Sequence, residues 1–299
     1  NNQLPILLLT NKMGSVILMG KKRREHFMKY KVDHDYHIHS QLSLCSADPE
    51  QNTKRILEIA ENNGFNKICL TDHYWDETVS KEGDVGYFAD TMYSVQNTEY
   101  IKQALPLPQS DKVKFYFGAE IDMDKYFRIG IGEKMLNELD FVVIPTTHLH
   151  MDGFTIDEKD KTREGRARLF VKRFEKLLEA KLPFHKIGLA HITCSLIAPS
   201  WEEHLKVIEL IDDKTFSDLF SESAKIGLGI ELNAEVAEYV YKDDKEGLRP
   251  YFIAKDAGCK FYLGSDAHHN DELLRTKEYF ETIVNELDLD EESKFKPFG

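Results

Sequence analysis

The sequence predicts an α/β fold with parallel strands, formed by one large domain. Its 299 residues, of which 41% are hydrophobic, are enough to bury a sizeable core. From residue 31 to residue 287, seven short apolar segments with strand character alternate with helical or polar segments. Such alternation is typical of parallel strands joined by crossover helices, in either a closed barrel or an open sheet.

The strand segments are short apolar runs, and polar side chains follow them. They cover residues 31–36, 67–71, 113–119, 141–144, 187–190, 229–233 and 260–265. The first helix is expected to begin at Asp48-Pro49, an N-cap followed by proline, and to end at Gly64. Further helices are expected near residues 95–105 and within residues 132–139, 162–180, 206–225 and 271–287.

Residues 1–30 are predicted to form a separate N-terminal hairpin, and residues 31–299 the barrel domain. Two apolar runs, at residues 4–9 and 16–19, flank a turn, and a basic connector follows at residues 21–24. Neither run approaches the ~20 apolar residues that span a bilayer, and no basic segment precedes the first run. We therefore expect neither a membrane anchor nor a signal peptide.

The net charge disfavours some binding partners, and the cysteine spacing indicates the redox state of the protein. The formal net charge is −13, which disfavours binding to nucleic acid or to an anionic membrane surface. The four cysteines, Cys45, Cys69, Cys194 and Cys259, have no C-x-x-C spacing. In a domain of this size they are expected to be reduced, which favours a cytoplasmic protein.

Metal-ligand residue types follow six of the seven strands. In order they are His37 with His39, His73, Glu120, His148, His191, and Asp266 with His268; the remaining strand ends at Asn233. Because parallel strands end on one face, these side chains are expected to converge there. Eight such ligands exceed the needs of one zinc ion, so two or three divalent ions are expected, of zinc, manganese or iron. Closely spaced ions can generate hydroxide and stabilise a leaving oxygen, which predicts metal-assisted hydrolysis.

The same motifs resemble those of the polymerase and histidinol phosphatase (PHP) superfamily. The motifs are His37-x-His39, Thr71-Asp72-His73, Gly118-Ala119-Glu120, His148, His191 and Gly264-Ser265-Asp266-Ala267-His268. The resemblance covers roughly residues 31 to 288. It implies a distorted seven-stranded, TIM-like (β/α)7 barrel with a trinuclear metal centre at the C-terminal strand ends.

The resemblance also implies roles for the ligands. His37, His39, Glu120 and Asp266 would bind a first ion, and Glu120 would bridge to a second ion held by His148 and His191. His73 and His268 would hold a third ion. In the histidinol phosphatase branch another ligand, usually histidine, lies eight residues after the first histidine, where this chain has Cys45. Cys45 is either a thiolate ligand or a neutral thiol beside a weak site.

The predicted activity is hydrolysis of a small phosphate monoester, as in histidinol phosphatase, with His37, His39, Glu120, Asp266 and His268 as the catalytic set. Asn233, Arg249 and Arg166 are the candidate substrate contacts. The alternatives are a PHP-type nuclease, an amidohydrolase-type enzyme and a non-catalytic metal-binding protein. The acidic charge disfavours the nuclease, and the position of Glu120 fits the amidohydrolase pattern poorly. The oligomeric state leaves no signature in the sequence.

Overall fold

The strands of the protein form one parallel sheet. The structure, a computed structural model, describes residues 29–46, 48–79 and 93–298. The strands are β1 (His34–Ile38), β2 (Lys67–Leu70), β3 (His73–Tyr74), β4 (Lys114–Ile121), β5 (Phe141–Pro145), β6 (Ile187–Ala190), β7 (Gly229–Asn233) and β8 (Lys260–Gly264). Their order is β1-β2-β4-β5-β6-β7-β8, and β3 pairs with β4. The predicted hairpin at residues 4–19 and the basic connector lie outside the described residues.

The first and last strands close this sheet into a barrel. Ile38 forms a parallel bridge to Ala267. The backbone N–H of Asp266 donates to the His37 carbonyl at 2.7 Å, and the N–H of His39 donates to the Ala267 carbonyl at 3.0 Å. The predicted fold class is therefore confirmed, and the closed alternative is the one formed.

The second predicted strand is interrupted before it reaches His73. The backbone N–H of Glu120 in β4 donates to the carbonyls of both Thr71 and Asp72, at 3.1 and 3.2 Å. Two residues thus face one, as in a β-bulge, which bends a strand and redirects its side chains. The chain then resumes pairing with β4 as β3, so the barrel has seven strands and one short addition.

Helices cover the outside of the barrel. They are α1 (Thr53–Asn63), α2 (Thr98–Ile101), α3 (Glu133–Glu138), α4 (Arg163–Glu179), α5 (Trp201–Ile208), α6 (Asp213–Ile226), α7 (Val236–Tyr241), α8 (Lys245–Asp256), α9 (Asn270–Leu273) and α10 (Thr276–Glu286). Their apolar faces pack on the sheet in one continuous core. Among the described residues, no helix has the length and apolar character needed to cross a membrane.

The predicted start of the first helix is wrong. Helix α1 begins after Asn52, whose side chain accepts a hydrogen bond from the Arg55 N–H. Asp48 instead accepts the Glu50 N–H at 2.9 Å within a preceding turn. Asn52 caps more effectively because its oxygen reaches the third residue beyond it, as N-cap side chains do. The predicted end of the helix at Gly64 is confirmed, with a φ of 73°.

Two other predicted helices are each divided in two. Residues 206–225 fall in α5 and α6, because Asp212 starts a new helix by accepting the Thr215 N–H. Residues 271–287 fall in α9 and α10. The sequence interpretation also missed α7 and α8, which follow β7.

Aromatic side chains fill the barrel near the beginnings of its strands. Phe141, the first residue of β5, packs with Tyr36 and Tyr262. The C-terminal segment returns to this cluster with Phe295 and Phe298. This core is apolar and closely packed, so it holds the polar strand ends rigidly in place.

Candidate metal centre

The strand ends bring all eight predicted His, Glu and Asp ligands into one cluster. The cluster consists of three groups that share members: His37, His39, Glu120 and Asp266; Glu120, His148 and His191; and His39, His73 and His268. Within each group, potential ligand atoms lie within 4.8 Å of one another. Each group could hold a metal ion, and the assignment of ions to ligands stays a prediction.

In the first group, two imidazole nitrogens face each other. The Nε2 atoms of His37 and His39 are 3.1 Å apart. Asp266 Oδ1 lies 3.3 Å from the first nitrogen and 3.0 Å from the second. Glu120 Oε2 lies 3.5 and 3.4 Å from them. Four donor atoms therefore surround one point, which is the ligand number of a zinc site.

The other ring nitrogens of these histidines are held in place. His37 Nδ1–H donates to Glu231 Oε1 at 2.8 Å. His39 Nδ1 contacts Ser43 Oγ at 2.8 Å, and that hydroxyl donates to Asp72 Oδ1. Since the Ser43 proton is used on Asp72, the imidazole donates to Ser43. Both Nε2 atoms are thereby left as lone-pair donors, as in metal sites with outer hydrogen-bonding partners.

Glu120 links the second group to the rest of the cluster. Its Oε1 lies 3.2 Å from His191 Nε2 and 3.6 Å from His148 Nε2. Its Oε2 lies 3.0 Å from His73 Nδ1. Among the described residues, this oxygen and His73 Nδ1 are buried without a hydrogen-bond partner. Burial lowers the pKa of His73 to about 3, so its ring is neutral. Orphaned donor atoms of this kind fit bound divalent ions.

Carboxylates raise the pKa of the paired histidines. Burial lowers the pKa of His37, but Glu231, Asp266 and Glu120 outweigh it and hold the pKa well above its usual range. Burial also lowers the pKa of His39, but Asp266 and Glu120 outweigh it and raise the pKa to about 9. The pair therefore binds a proton at neutral pH unless another cation replaces it.

Imidazoles keep the two ligand carboxylates ionised. Burial raises the pKa of Glu120, but the surrounding imidazoles outweigh it and hold the pKa well below its usual range. Burial also raises the pKa of Asp266, but His37 and His39 outweigh it and hold the pKa well below its usual range. The cluster therefore holds buried negative charge at neutral pH, which a cation can neutralise.

Comparison with protein families places this geometry in a known group. The family model of the PHP domain matches residues 35–235, more than half of the chain. The chain belongs to the PHP domain family. The matched range contains the strand ends from His37 to Asn233, whereas Asp266 and His268 lie beyond it.

Two solved structures share the fold of this PHP domain. One is the histidinol phosphate phosphatase HISK from Lactococcus lactis subsp. lactis Il1403, complexed with zinc, L-histidinol and phosphate. It is 16% identical, with a TM-score of 0.51, and the match covers 88% of this chain and 98% of that one. The other is HisK from Listeria monocytogenes, for which histidinol phosphatase activity is proposed. It is 16% identical, with a TM-score of 0.52, covering 80% and 97%. No curated protein matched the sequence.

Two carboxylates of the PHP domain's metal centre were missed by sequence reasoning. Glu231 in β7 accepts hydrogen bonds from the His37 ring and from the His191 N–H, at 2.8 and 2.5 Å. Asp122 accepts the His148 Nδ1–H at 2.9 Å. Glu231 lies two residues before Asn233, and Asp122 two residues after Glu120. This i, i+2 spacing along a strand was the available signal.

The backbone around these ligands is unusual. His191 and Asp266 have φ values of 23° and 56°, a region that residues other than glycine seldom adopt. Strain of this kind collects at functional sites of folded proteins. A Cβ atom on Gly264 would collide with Glu231 Oε1 and lie 2.7 Å from the His37 Cβ. Only glycine therefore lets Glu231 approach His37.

Cys45 lies beside the cluster but belongs to none of the three groups. It lines a cavity of about 240 Å³ over the metal centre, together with His73, Tyr93, Glu120, His148, His150, Met151, Leu196, Asp266 and His268. Cys45 is exposed as a residue, but desolvation of its thiol at the cavity, together with Asp266 and Glu120, raises the pKa of that thiol. Its role as a ligand stays a prediction, and the structure favours the neutral thiol in metal-free protein.

Asn233 lines a second cavity, of about 480 Å³, which also touches Asp266. Its side chain is 4% exposed. Its Oδ1 accepts the Glu235 N–H at 2.9 Å, while its Nδ2 is buried without a partner among the described residues. The structure thus brings Asn233 next to the metal centre with a free donor, and its contact with substrate stays a prediction.

Arg166 holds two loops near the metal centre in place through hydrogen bonds to backbone carbonyls. Its Nη1 donates to the carbonyls of Leu149 and Ile197 at 2.6 and 3.0 Å, and its Nε to that of Lys161. It ties the loop after β5 to the loop after β6. It does not line either cavity described above.

Arg249 is not brought to the metal centre. Its nitrogens bind the carbonyls of Ile208 and Ile211 and the carboxylates of Asp213 and Glu246. The guanidinium therefore joins α8 to the end of α5 and the start of α6. Arg249 lines neither cavity, because its position is set by the packing of these helices, and its role as a substrate contact stays a prediction.

Proposed function

We propose that this PHP domain protein is a metal-dependent phosphoesterase that hydrolyses a small phosphate monoester. The main support for this proposal is that Glu120 belongs to two of the ligand groups. One carboxylate borders two of the three ligand groups, and its Oε2 is buried without a hydrogen-bond partner among the described residues. A bridging carboxylate of this kind fits two or three closely spaced divalent ions of zinc, manganese or iron.

The protein's own residues would hold and orient these ions. His37, His39, Glu120 and Asp266 form one binding group, and Glu231 fixes the ring of His37. When bound, divalent ions supply Lewis acidity for the phosphoryl group and a more acidic water for its attack. The side chains lining the cavity, from Tyr93 to Leu196, limit the water around the reacting ester.

Cavity size and charge support a small substrate. The cavity over the metal centre measures about 240 Å³, below the usual range for drug-sized ligands. The net charge of −13 opposes approach of a long polyanion. Histidinol phosphate is the first substrate to test, because the HISK protein with this fold binds L-histidinol and phosphate.

The test is an assay of purified protein loaded with Mn²⁺ or Zn²⁺, using p-nitrophenyl phosphate and histidinol phosphate. We expect metal-dependent release of phosphate, lost in His39→Asn and retained in His185→Asn. His185 is an exposed histidine before β6, which makes it a matched control. No turnover of any phosphate ester would contradict the proposal.

Three further measurements separate the alternatives. Cleavage of short oligonucleotides at low salt would favour a nuclease. Hydrolysis of amides without hydrolysis of phosphate esters would favour an amidohydrolase-type activity. Elemental analysis that finds fewer than two ions per chain, with no turnover, would favour a metal-binding protein without catalytic activity.

A further inference from the structure

One short segment outside the strands contacts residues that form or hold ligands at two different strand ends. Residues 93–96 lie between β3 and α2, and Asn97 caps the start of α2. We call these four residues the 93–96 segment. The side chains of Tyr93 and Gln96 are buried, and the two residues are 1% and 0% exposed. In a barrel each ligand follows its own strand, so a segment that reaches several strand ends can link their positions.

Tyr93 acts on the second ligand group through Asp122. Its hydroxyl donates to Asp122 Oδ2, and Asp122 Oδ1 accepts the His148 Nδ1–H at 2.9 Å. The Tyr93 ring packs between Trp75 and Phe154, with centroid distances of 5.9 and 5.1 Å. Because the Asp122 hydrogen bond sets the tautomer and orientation of the His148 ring, Tyr93 helps to aim His148 Nε2 at an ion.

Gln96 acts on the third ligand group through the backbone. Its Nε2 donates to the His73 carbonyl at 3.1 Å, and its Oε1 accepts the Leu44 N–H at 2.8 Å. Its own carbonyl accepts the Trp75 N–H at 3.2 Å. These hydrogen bonds join the 93–96 segment to β3, to the residue after it and to the loop after β1. They therefore hold the backbone of His73, whose ring belongs to the third group.

We propose that Tyr93 and Gln96 are positioning residues that couple the second and third ligand groups, so that these groups bind their ions cooperatively. The inference rests on the metal centre of the proposed function and not on the identity of the substrate. When the His148 ring is immobilised on an ion, its hydrogen-bonded partners order the 93–96 segment as well. The ordered segment then presents His73 to a further ion at a smaller cost in entropy. The reverse also holds, because coupling between two binding sites is reciprocal.

A double-mutant cycle tests the coupling. Tyr93→Phe removes the hydroxyl and keeps the ring packing, while Gln96→Met removes the side-chain hydrogen bonds at similar length. Each protein is titrated with Zn²⁺ against a chelating dye, and native mass spectrometry counts the ions on each chain. Each single variant should bind the ions beyond the first about tenfold more weakly. The double variant should lose far less than the roughly hundredfold expected of two independent effects, because either change loosens the same segment.

The first ligand group serves as an internal reference. It offers four ligand atoms where the other groups offer three, so we expect it to fill first. Glu231 in β7 holds its His37 ring. Binding of the first ion should therefore be unchanged in all three variants. Tyr241→Phe and Gln103→Met, both at exposed positions, are the matched controls and should bind every ion as the wild type does.

Cobalt provides a readout that a merely structural role would not change. The visible absorption of bound Co²⁺ depends on ligand geometry, so the bands of ions beyond the first should shift in Tyr93→Phe and in Gln96→Met. A roughly hundredfold loss in the double variant, unchanged affinities in the single variants, or an equal loss for the first ion would each overturn the coupling. A wild type that binds fewer than two ions would instead contradict the metal centre of the proposed function.

Discussion

The Nε2 atoms of His37 and His39 lie 3.1 Å apart in the buried floor of the metal centre. Each ring donates from its opposite nitrogen, His37 to Glu231 and His39 to Ser43. Two lone pairs at this distance repel unless a cation lies near both. A proton can meet this need in metal-free protein, and a divalent ion meets it for both rings together with Asp266 and Glu120.

Removal of the ions should therefore destabilise the fold. A chelator leaves Glu120 and Asp266 as buried carboxylates whose charge only protonated imidazoles balance. At free ion about a thousandfold above Kd, the bound ion contributes about 4 kcal/mol to the free energy of unfolding. We expect Tm to fall by about 10 °C on chelation, as measured by scanning calorimetry. An equal Tm with and without chelator would contradict this prediction, and the Glu120→Gln variant should show a much smaller chelator effect.

Binding of ions should also release protons. Carboxylates raise the pKa of both His37 and His39, that of His39 to about 9, so the pair holds a proton at neutral pH. Because metal binds the neutral ring, the apparent affinity should rise with pH from neutral pH towards about 9, where His39 titrates. Titration calorimetry at pH 7 in buffers of different ionisation enthalpy should show release of at least one proton on filling the first group. Release near zero would mean that both rings are already neutral.

The strand ends were predictable from the sequence because parallel strands deliver them to one face whatever the loops do. His73 and Glu120 each follow an apolar strand, and the barrel leaves them 3.0 Å apart. Their partners were harder to find. Glu231 lies inside a strand, where the i, i+2 spacing from Asn233 predicts its face but not the ring, 194 positions away, that its oxygen meets.

Arginines were the least predictable residues. Arg173 is fully buried, and its nitrogens bind the carbonyls of Met123, Pro145 and Thr146 at the ends of β4 and β5. Sequence interpretation assigned it no role, whereas it assigned substrate contacts to Arg166 and Arg249. A guanidinium can reach carbonyls as readily as phosphate, so its partner depends on how the helices pack, which the local sequence does not specify.

Glu231 should control the affinity of the first ligand group. It accepts the His37 ring proton and the His191 N–H, so it sets two ligands at once. Replacement of such an outer partner usually costs 10–100-fold in metal affinity, and we expect a loss of about this size for Glu231→Gln. Gly264→Ala should act in the same direction, because its Cβ would displace the Glu231 carboxylate. Competition with a chelating dye measures both affinities, and unchanged affinity in both variants would contradict this role.

His34 should make the fold sensitive to acid on the side where the barrel closes. Its Nδ1 contacts Asp33 at 3.0 Å, and its Nε2 accepts the Leu263 N–H of β8 at 3.1 Å. Burial lowers its pKa to about 4, below the usual value of 6.5. Between pH 4 and pH 6.5, His34 binds a proton in the unfolded chain but stays neutral in the folded protein. The contribution of the neutral His34 ring to the free energy of unfolding is therefore complete above pH 6.5. It decreases by roughly 3 kcal/mol as the pH drops towards 4.

The His34→Asn variant tests this prediction because its side chain does not titrate. It should be less stable than the wild type at pH 7, where the hydrogen bond between the ring and the Leu263 N–H is lost. Urea unfolding from pH 7 to pH 4, in metal-free protein, should show a smaller decline in the variant than in the wild type. His185→Asn, an exposed histidine, should decline as the wild type does. Parallel declines in wild type and His34→Asn would mean that other groups, and not this ring at the β1–β8 closure, determine the acid sensitivity.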